Sequence, residues 1–252
     1  MVEGDDTSFG AITPTARIGN YVQISRKSFI VSDVQEAVDK AGRASEIAHQ
    51  KVKHGKELKR DMEIALLHNT TNAAGDGATV AAQTRGVEGW CATNCLVGAT
   101  TGAAPNPSTN TAPVAGDARA FTETLLLQAQ QSAWQNGGKP TMLMVSPDHM
   151  TDAMAFDGNG TRFHKAESGE LNSAYEVYRG PFGVLKLVPS HLMAGKTTAF
   201  LIDPKYWALR TLEPMYTEEL ARTGLGRKFH IVTSYALEAS NEAASAQIRD
   251  LS

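Results

Sequence analysis

Apolar residues recur at every third or fourth position over residues 44–66, which is the spacing of one face of an α-helix. The pattern predicts a helix over residues 43–68, a rod of 26 residues and about 39 Å with a single buried stripe and charged outer faces. It is the strongest local signal in the chain. The stripe consists of Ala44, Ile47, Ala48, Val52, Gly55, Leu58, Met62, Ala65 and Leu66.

Before this helix, β-branched and aromatic residues alternate over residues 17–31 and predict a strand. No hairpin turn precedes it, so its partner must come from elsewhere. Ser32 and Gln35 have the spacing of a capping box, which predicts a helix directly after the strand. Gly42 is expected to break or kink that helix.

The second half of the chain is mostly strands. Thr122 caps a predicted helix that ends at Gly137-Gly138, and Pro147 begins a shorter one. Strands are predicted at residues 141–145, 174–178, 183–188, 197–202, 208–212 and 228–237. This order predicts an α+β protein with a mixed sheet, because a doubly wound fold would alternate regularly.

Residues 70–118 differ in composition from the rest of the chain. They hold seven Gly, nine Thr and twelve Ala but a single aromatic residue, Trp90. Such a segment cannot build a dense core of its own. We expect Val87, Trp90 and Leu96 to anchor it, and residues 97–117 to form a loop that is mobile or ordered by a partner.

Composition excludes several classes of protein. The chain has 252 residues and a net charge of −3, so no global basic field would hold nucleic acid. The sequence contains no run of about 18 apolar residues, so it predicts no membrane span. The first residues are acidic where a signal peptide would be basic. Two cysteines are too few for a disulfide framework, which fits a reducing compartment.

Candidate chemistry is sparse, and we predict no catalytic residue, no cofactor and no metal. Cys91 and Cys95 are separated by three residues, but no other Cys or His lies between His68 and His149, so two free thiols are favoured over a metal site. The Asp-Gly pairs at 76–77 and 157–158 are explained as turns. A spatial triad that uses one of three histidines with a Ser and an Asp stays open, without a local signature: His149, His164 or His191.

The long helix carries basic residues interleaved with acids, which favours a solvated or subunit-facing side over a DNA-contacting one. Intrahelical pairs are predicted between Glu57 and Arg60 and between Lys59 and Glu63, each stabilising by a few tenths of a kcal/mol.

Several short motifs occur in a fixed order along the chain. The most specific is the helix run Gly55-Lys-Glu-Leu-Lys-Arg-Asp-Met-Glu-Ile-Ala-Leu-Leu with Gln35-Glu-Ala-Val-Asp-Lys-Ala-Gly before it. Weaker elements follow along nearly the whole chain: Trp134-Gln-Asn-Gly-Gly with Pro140, Val145-Ser-Pro, Val188-Pro189, Leu201-Ile-Asp-Pro and Leu237-Glu-Ala-Ser-Asn-Glu-Ala-Ala. This order of residues resembles a family, the major capsid proteins of tailed bacteriophages.

The resemblance implies the fold shared by tailed-phage shells, encapsulins and the capsid floor of herpesviruses. In that fold a long spine helix and a sheet form a peripheral domain, an axial domain surrounds the capsomer axis, and an extended E-loop covers a neighbour. It implies four parts of this chain: an E-loop remainder at 1–31, a peripheral domain at 32–121, an axial domain at 122–200 and return strands to the peripheral domain at 201–252.

The resemblance also implies partners. The chain would assemble with itself into hexamers and pentamers of an icosahedral head, in the host cytoplasm and then in the virion. Scaffold, portal and decoration proteins are further candidates, and packaged double-stranded DNA would be touched only weakly and non-specifically. The candidate subunit-interface residues are Arg17, Tyr21, Lys51, Lys56, Lys59 and Arg60.

One departure from the family and three alternatives remain. Family members carry an N-terminal arm and the outgoing E-loop strand before the equivalent of Glu3, which this sequence lacks. We therefore expect the chain, expressed alone, to close few shells. An encapsulin-like compartment would need a cargo-binding cleft, a hydrolase or metalloenzyme would need convergent ligands, and the third alternative is a monomer that does not assemble.

Overall fold

The computed structural model describes residues 9–12, 18–39, 41–156 and 177–252. Within them lie the helices α1 (Asp33–Ala37), α2 (Glu46–His68), α3 (Val87–Trp90), α4 (Glu123–Gln135) and α5 (Pro147–Met154). The strands are β1 (Gln23–Ser32), β2 (Cys95–Leu96), β3 (Met142–Val145), β4 (Val177–Gly180), β5 (Gly183–Pro189), β6 (Ala199–Ile202), β7 (Trp207–Leu220), β8 (Gly226–Ala239) and β9 (Ala246–Ile248).

The predicted first strand, β1, finds its partner far along the chain. It pairs antiparallel with β8 over its whole length, from Gln23 opposite Tyr235 to Ser32 opposite Gly226. β7 pairs with the other side of β8 and completes a three-stranded sheet in the order β1-β8-β7. The expectation that the partner comes from elsewhere is confirmed.

Helix α2 confirms the main prediction. Ser45 caps it by accepting a hydrogen bond from the backbone N–H of Ala48, and it runs to His68. It lies on one face of the three-stranded sheet, where Phe29 of β1 stacks on Phe229 of β8 with ring centroids 5.4 Å apart. The short α1 is also capped as predicted, since the Ser32 side chain accepts from the N–H of Gln35.

The predicted stripe of α2 is wrong at Ala44, Ala48 and Val52, all of which are exposed, although Leu58 and Ala65 are buried as expected. Polar side chains with large apolar parts take the packed positions instead. The His54 ring stacks on Phe29 at 5.1 Å, and the Lys51 ammonium lies 4.6 Å from the centre of the Phe229 ring. A count of apolar letters cannot find such positions, because these side chains bury their non-polar parts while remaining polar at the tip.

The second sheet has six strands in the order β2-β9-β6-β3-β5-β4, and it is mixed, as predicted. β3 is parallel to β5 and antiparallel to β6. One face packs against α4 and α5 in the largest core, which includes Leu126, Leu143 and Leu201. The other face contributes Phe200 to a second core with Leu67 of α2. Helix α2 thus touches both sheets.

Strands β7 and β8, near the end of the chain, extend further than predicted, and β8 does so by two residues at each end. β7 covers 207–220 where only 208–212 was expected, because two irregularities at Thr211/Glu213 and Glu213/Tyr216 let the strand continue past Pro214. The predicted strand at 174–178 appears as β4, and its first three residues lie outside the described part of the chain.

Residues 97–117, predicted as a mobile or partner-ordered loop, instead form a closed hairpin within the subunit. Single bridges join Ala103 to Val114 and Asn106 to Thr111. At its tip Asn110, with φ 55°, exchanges two hydrogen bonds with the backbone of Asn72 and accepts a third from the Arg85 guanidinium at 2.9 Å. The anchor predicted near Trp90 is confirmed, since Val87 and Trp90 belong to the second core.

The predicted domain boundaries remain predictions, and the six-stranded sheet contains strands from more than one of the predicted segments. β2 and β9 join the six-stranded sheet together with β3 to β6. In sequence they fall inside segments 32–121 and 201–252, which were assigned to the peripheral domain. Composition gives no sign of such short buried strands.

We expect Leu58→Ala to lower the free energy of unfolding by about 2–5 kcal/mol, because it empties a site that is 1% exposed. Val52→Ala on the same helix should stay within about 0.5 kcal/mol. Urea denaturation of dissociated subunits measures both. Equal losses at the two positions would contradict the packing of α2 described above.

We expect Asn110→Gly to lower the free energy of unfolding by about 1–3 kcal/mol. Glycine keeps the positive φ without strain, so the loss would come from the three missing hydrogen bonds and from a buried Arg85 deprived of its partner. Ser108→Gly in the same hairpin is the control for chain entropy. Urea titration with limited proteolysis measures the effect, and identical behaviour of the two variants would show that Asn110 does not latch the hairpin.

Candidate subunit interface

The two cysteines show no reactive environment. Both are free thiols, and burial raises the pKa of Cys91 well above its usual value and that of Cys95 to about 11. They are therefore held protonated, which disfavours nucleophilic or metal-binding chemistry. In the described ranges no group of three or more His, Cys, Asp or Glu side chains is arranged to hold a metal ion.

The histidine triad left open by the sequence is not assembled around His149. Ser146 lies near it, but the Ser146 hydroxyl is buried and accepts a hydrogen bond from the His149 backbone N–H as the cap of α5. The His149 ring packs edge-on against Phe121, with its Nδ1 3.4 Å from Asp152. His191 lies exposed at the surface, and His164 lies outside the described residues.

A buried ionic cluster joins α2, α3 and the end of the chain. The Glu88 carboxylate lies 3.0 Å from His68 Nδ1 and bonds the Arg249 guanidinium through its other oxygen. Burial raises the pKa of Glu88, but the hydrogen bond from His68 and the charge of Arg249 outweigh it, so the pKa lies below its ordinary value of 4.5. All three side chains are largely buried, so the cluster has a structural role: it joins α2, α3 and the end of the chain.

Asn20 is a connecting residue that sequence reasoning missed. Its side-chain amide donates to Thr84 Oγ1 and to the backbone oxygens of Arg85 and Leu237, and its oxygen accepts from the Arg85 backbone N–H at 2.8 Å. It ties the segment before β1 to the 84–85 loop and to β8. No periodic or motif signal marks a single Asn with this role.

The structure separates the predicted interface residues into groups. Tyr21 is 47% exposed in the segment before β1. Lys51 points inward over Phe229. Lys56, Lys59 and Arg60 lie exposed on the outer face of α2, and Arg17 falls outside the described residues.

The predicted intrahelical ion pairs of α2 do not form. Glu57 pairs with His54 at 2.8 Å instead of Arg60, and Asp61 pairs with Lys27 of β1 at 2.7 Å. Lys59 and Arg60 make no ion pair to any described residue. Two of the acids beside these bases, Glu57 and Asp61, are paired within the subunit, and Glu63 stays exposed, so the outer face of α2 is more basic than its sequence implies.

A groove of about 520 Å³ runs beside this face of α2. Its walls come from α2, from Met144 of β3 and from the end of β5, and its polar lining includes Arg60, Glu63 and His191. The side chains share no arrangement suited to catalysis. Among the described helices none is long and apolar enough to cross a membrane.

Large apolar side chains are also left uncovered. Phe9 and Ile12, in the described part of the N-terminal segment, are more than 90% exposed. On the face of the three-stranded sheet that points away from α2, Ile24 and Ile30 are more than 60% exposed. The edge strand β7 adds four more that are at least one-third exposed: Leu209, Leu212, Tyr216 and Leu220.

The low pKa of Glu88 predicts a pH dependence of stability. A carboxylate whose pKa is depressed in the folded state stabilises it above the unfolded pKa, near 4.5, and this contribution is lost as the pH falls through the folded value. Glu88→Gln should therefore cost about 3–5 kcal/mol at pH 7, because it leaves the buried Arg249 charge unpaired, and less at pH 3. Urea titrations at both pH values measure this. Glu57→Gln, at a part-exposed ion pair, is the control and should cost at most about 1 kcal/mol. A loss of stability in Glu88→Gln that does not depend on pH would refute the role of Glu88 as a charged partner of Arg249.

Comparison with known proteins places the whole chain in one family. The family described as SU10 major capsid protein matches residues 1–252. The major capsid protein of Escherichia phage Phieco32 is 27% identical over 279 residues, covering 97% of this chain and 79% of that protein.

Solved structures show the same fold at low identity. The capsid asymmetric unit of cyanophage A-1(L) superposes with a TM-score of 0.59 at 12% identity, covering 99% of this chain and 85% of that one. Mycobacterium phage Bobi gives 0.56 at 12%, covering 96% and 77%. The holo-SrpI encapsulin complex of Synechococcus elongatus gives 0.56 at 10%, covering 91% and 74%. With a family match over its full length and the capsid fold in its structure, the chain belongs to the SU10 major capsid protein family.

Proposed function

We propose that copies of this chain assemble into hexameric and pentameric capsomers of an icosahedral head that encloses double-stranded DNA. Family membership already makes the chain a shell subunit of a phage virion, a structural protein and not an enzyme. The proposal adds the capsomer types, the contents and the surfaces that join the copies.

The observation that carries this proposal is the set of large apolar side chains that the described elements leave uncovered. Phe9 and Ile12 are more than 90% exposed, Leu212 is 72% exposed, and Ile24 and Ile30 of β1 are more than 60% exposed. Exposed apolar surface of this kind marks sites of protein–protein contact. Because these side chains lie on several elements, association with other copies would be driven by their burial.

The two sheets support an assignment of the subunit to two capsid domains. We assign the three-stranded sheet with α2 to the peripheral domain, and the six-stranded sheet with α4 and α5 to the axial domain. The segment before β1 would act as the E-loop remainder predicted for residues 1–31. Its exposed Phe9 and Ile12 would be covered by a neighbouring copy.

DNA would be held by confinement more than by contact. The net charge of −3 gives the subunit no general attraction for phosphate. Assembly would take place in the host cytoplasm. Scaffold, portal and decoration proteins are expected partners of such a head.

An encapsulin-like compartment is less well supported. The likeness to the encapsulin is at 10% identity and carries the fold alone. The 27% identity over nearly the whole chain is to a phage major capsid protein. We therefore propose a phage head as the assembly in which the chain works.

Electron microscopy and sedimentation of the purified chain test the proposal. We expect particles well above the 27.0 kDa monomer, including five- and six-membered rings. Phe9→Ser with Ile12→Ser should reduce the assembled fraction but leave the melting temperature of dissociated subunits unchanged, since both side chains are more than 90% exposed. A chain that stays monomeric at high concentration would disprove the proposal.

A further inference from the structure

The outer face of α2 carries a row of bases that pair with no residue in the described part of the subunit. Lys53, Lys56 and Arg60 recur at three and four residues, so they share one exposed face of the helix over a length of about 10 Å. Lys59 lies beside them, and one exposed acid, Glu63, follows Arg60 on the same face. The face therefore carries four bases against one acid, and Val52 and Ile64 add exposed apolar side chains at either end of the row.

The edge strand β7 carries the opposite charge. Glu213, Glu218 and Glu219 are exposed along about 20 Å of the strand. The Glu218 carboxylate lies 3.2 Å from the ring of His230, and the Glu213 carboxylate accepts a long hydrogen bond, of 3.4 Å, from the Ser234 hydroxyl. Exposed Leu212, Tyr216 and Leu220 lie among these acids.

We propose that the basic outer face of α2 in one subunit docks against the acidic edge strand β7 of a neighbouring copy. This inference rests on the proposed function and names one of the contacts by which it would be carried out. Each surface has one predominant charge and two or three exposed apolar side chains. Charge pairing would set the register, and apolar burial would supply most of the affinity.

A second copy fits these observations better than a nucleic acid does. Every copy brings one basic face and one acidic strand, so the two surfaces balance one to one in any closed ring. They are different patches of one chain, and the contact is therefore head-to-tail, the kind that closes cyclic rings. A phosphate backbone would satisfy the basic face but leave the acidic, apolar edge of β7 open to uncontrolled strand pairing.

A charge-swap experiment on the full chain tests this contact. Lys56→Glu with Arg60→Glu should lower the assembled fraction about tenfold, because attraction becomes repulsion at two positions. Glu218→Lys with Glu219→Lys should do the same. All four changes together should restore assembly to within about threefold of the wild type. Lys139→Glu with Arg179→Glu, at exposed sites on the loop before β3 and on the outermost strand β4, is the matched control and should change nothing.

The readouts are sedimentation, electron microscopy and the melting temperature of dissociated subunits. If a reversed variant fails to fold, Lys56→Gln with Arg60→Gln replaces it and should give an intermediate loss. The contact is refuted if the fourfold variant folds but assembles no better than either double variant. It is also refuted if the α2 reversal leaves shells intact and changes only their DNA content, which would make the face a polyanion surface.

The outcome separates this inference from the proposed function. A wild-type chain that assembles while every charge variant assembles equally well leaves the shell function standing and removes only the α2–β7 contact. A wild-type chain that stays at 27.0 kDa removes both.

Discussion

The packing of α2 against two sheets at once is the constraint on which the rest of the subunit depends. Its N-terminal half lies on β1 and β8 through Ile47 and the ring of His54, and Leu67 near its end enters the core beneath the six-stranded sheet. The buried tie from His68 through Glu88 to Arg249 fixes the same end to the last residues of the chain. A rigid rod of 23 residues thereby sets the distance between the two sheets.

This arrangement explains why so much surface stays open. A helix that spans two sheets is covered along one side only, so none of the described elements packs on its outer face. The three-stranded sheet is likewise covered by α2 on one face, which leaves Ile24 and Ile30 of β1 exposed on the other. A thin subunit of this kind gains its remaining stability by burying these surfaces between copies.

Long periodic elements could be predicted from the sequence, and contacts between distant segments could not. Helix α2 follows from the spacing of its apolar residues, and α4 follows from spacing together with its Thr122 cap. The pairing of β1 with β8, the side-chain bridge of Asn20 and the Asn110 latch depend on residues far apart in sequence. The hairpin at 97–117 was missed because its order comes from close backbone approach, as at Gly98, and not from apolar burial.

The basic face of α2 shows that the net charge of a surface depends on which of its residues are paired within the subunit. In sequence its lysines alternate with acids, which suggests a neutral, solvated surface. In the structure Asp61 is paired with Lys27 and Glu57 with His54, so these two acids are neutralised within the subunit, and the four exposed bases face only one exposed acid, Glu63. The net charge counted along the helix sequence is therefore smaller than the charge that a neighbouring subunit meets at this face. Because Glu213 and Glu219 of β7 are also exposed, a nearly neutral chain can present two oppositely charged surfaces, which is what ordered head-to-tail association requires.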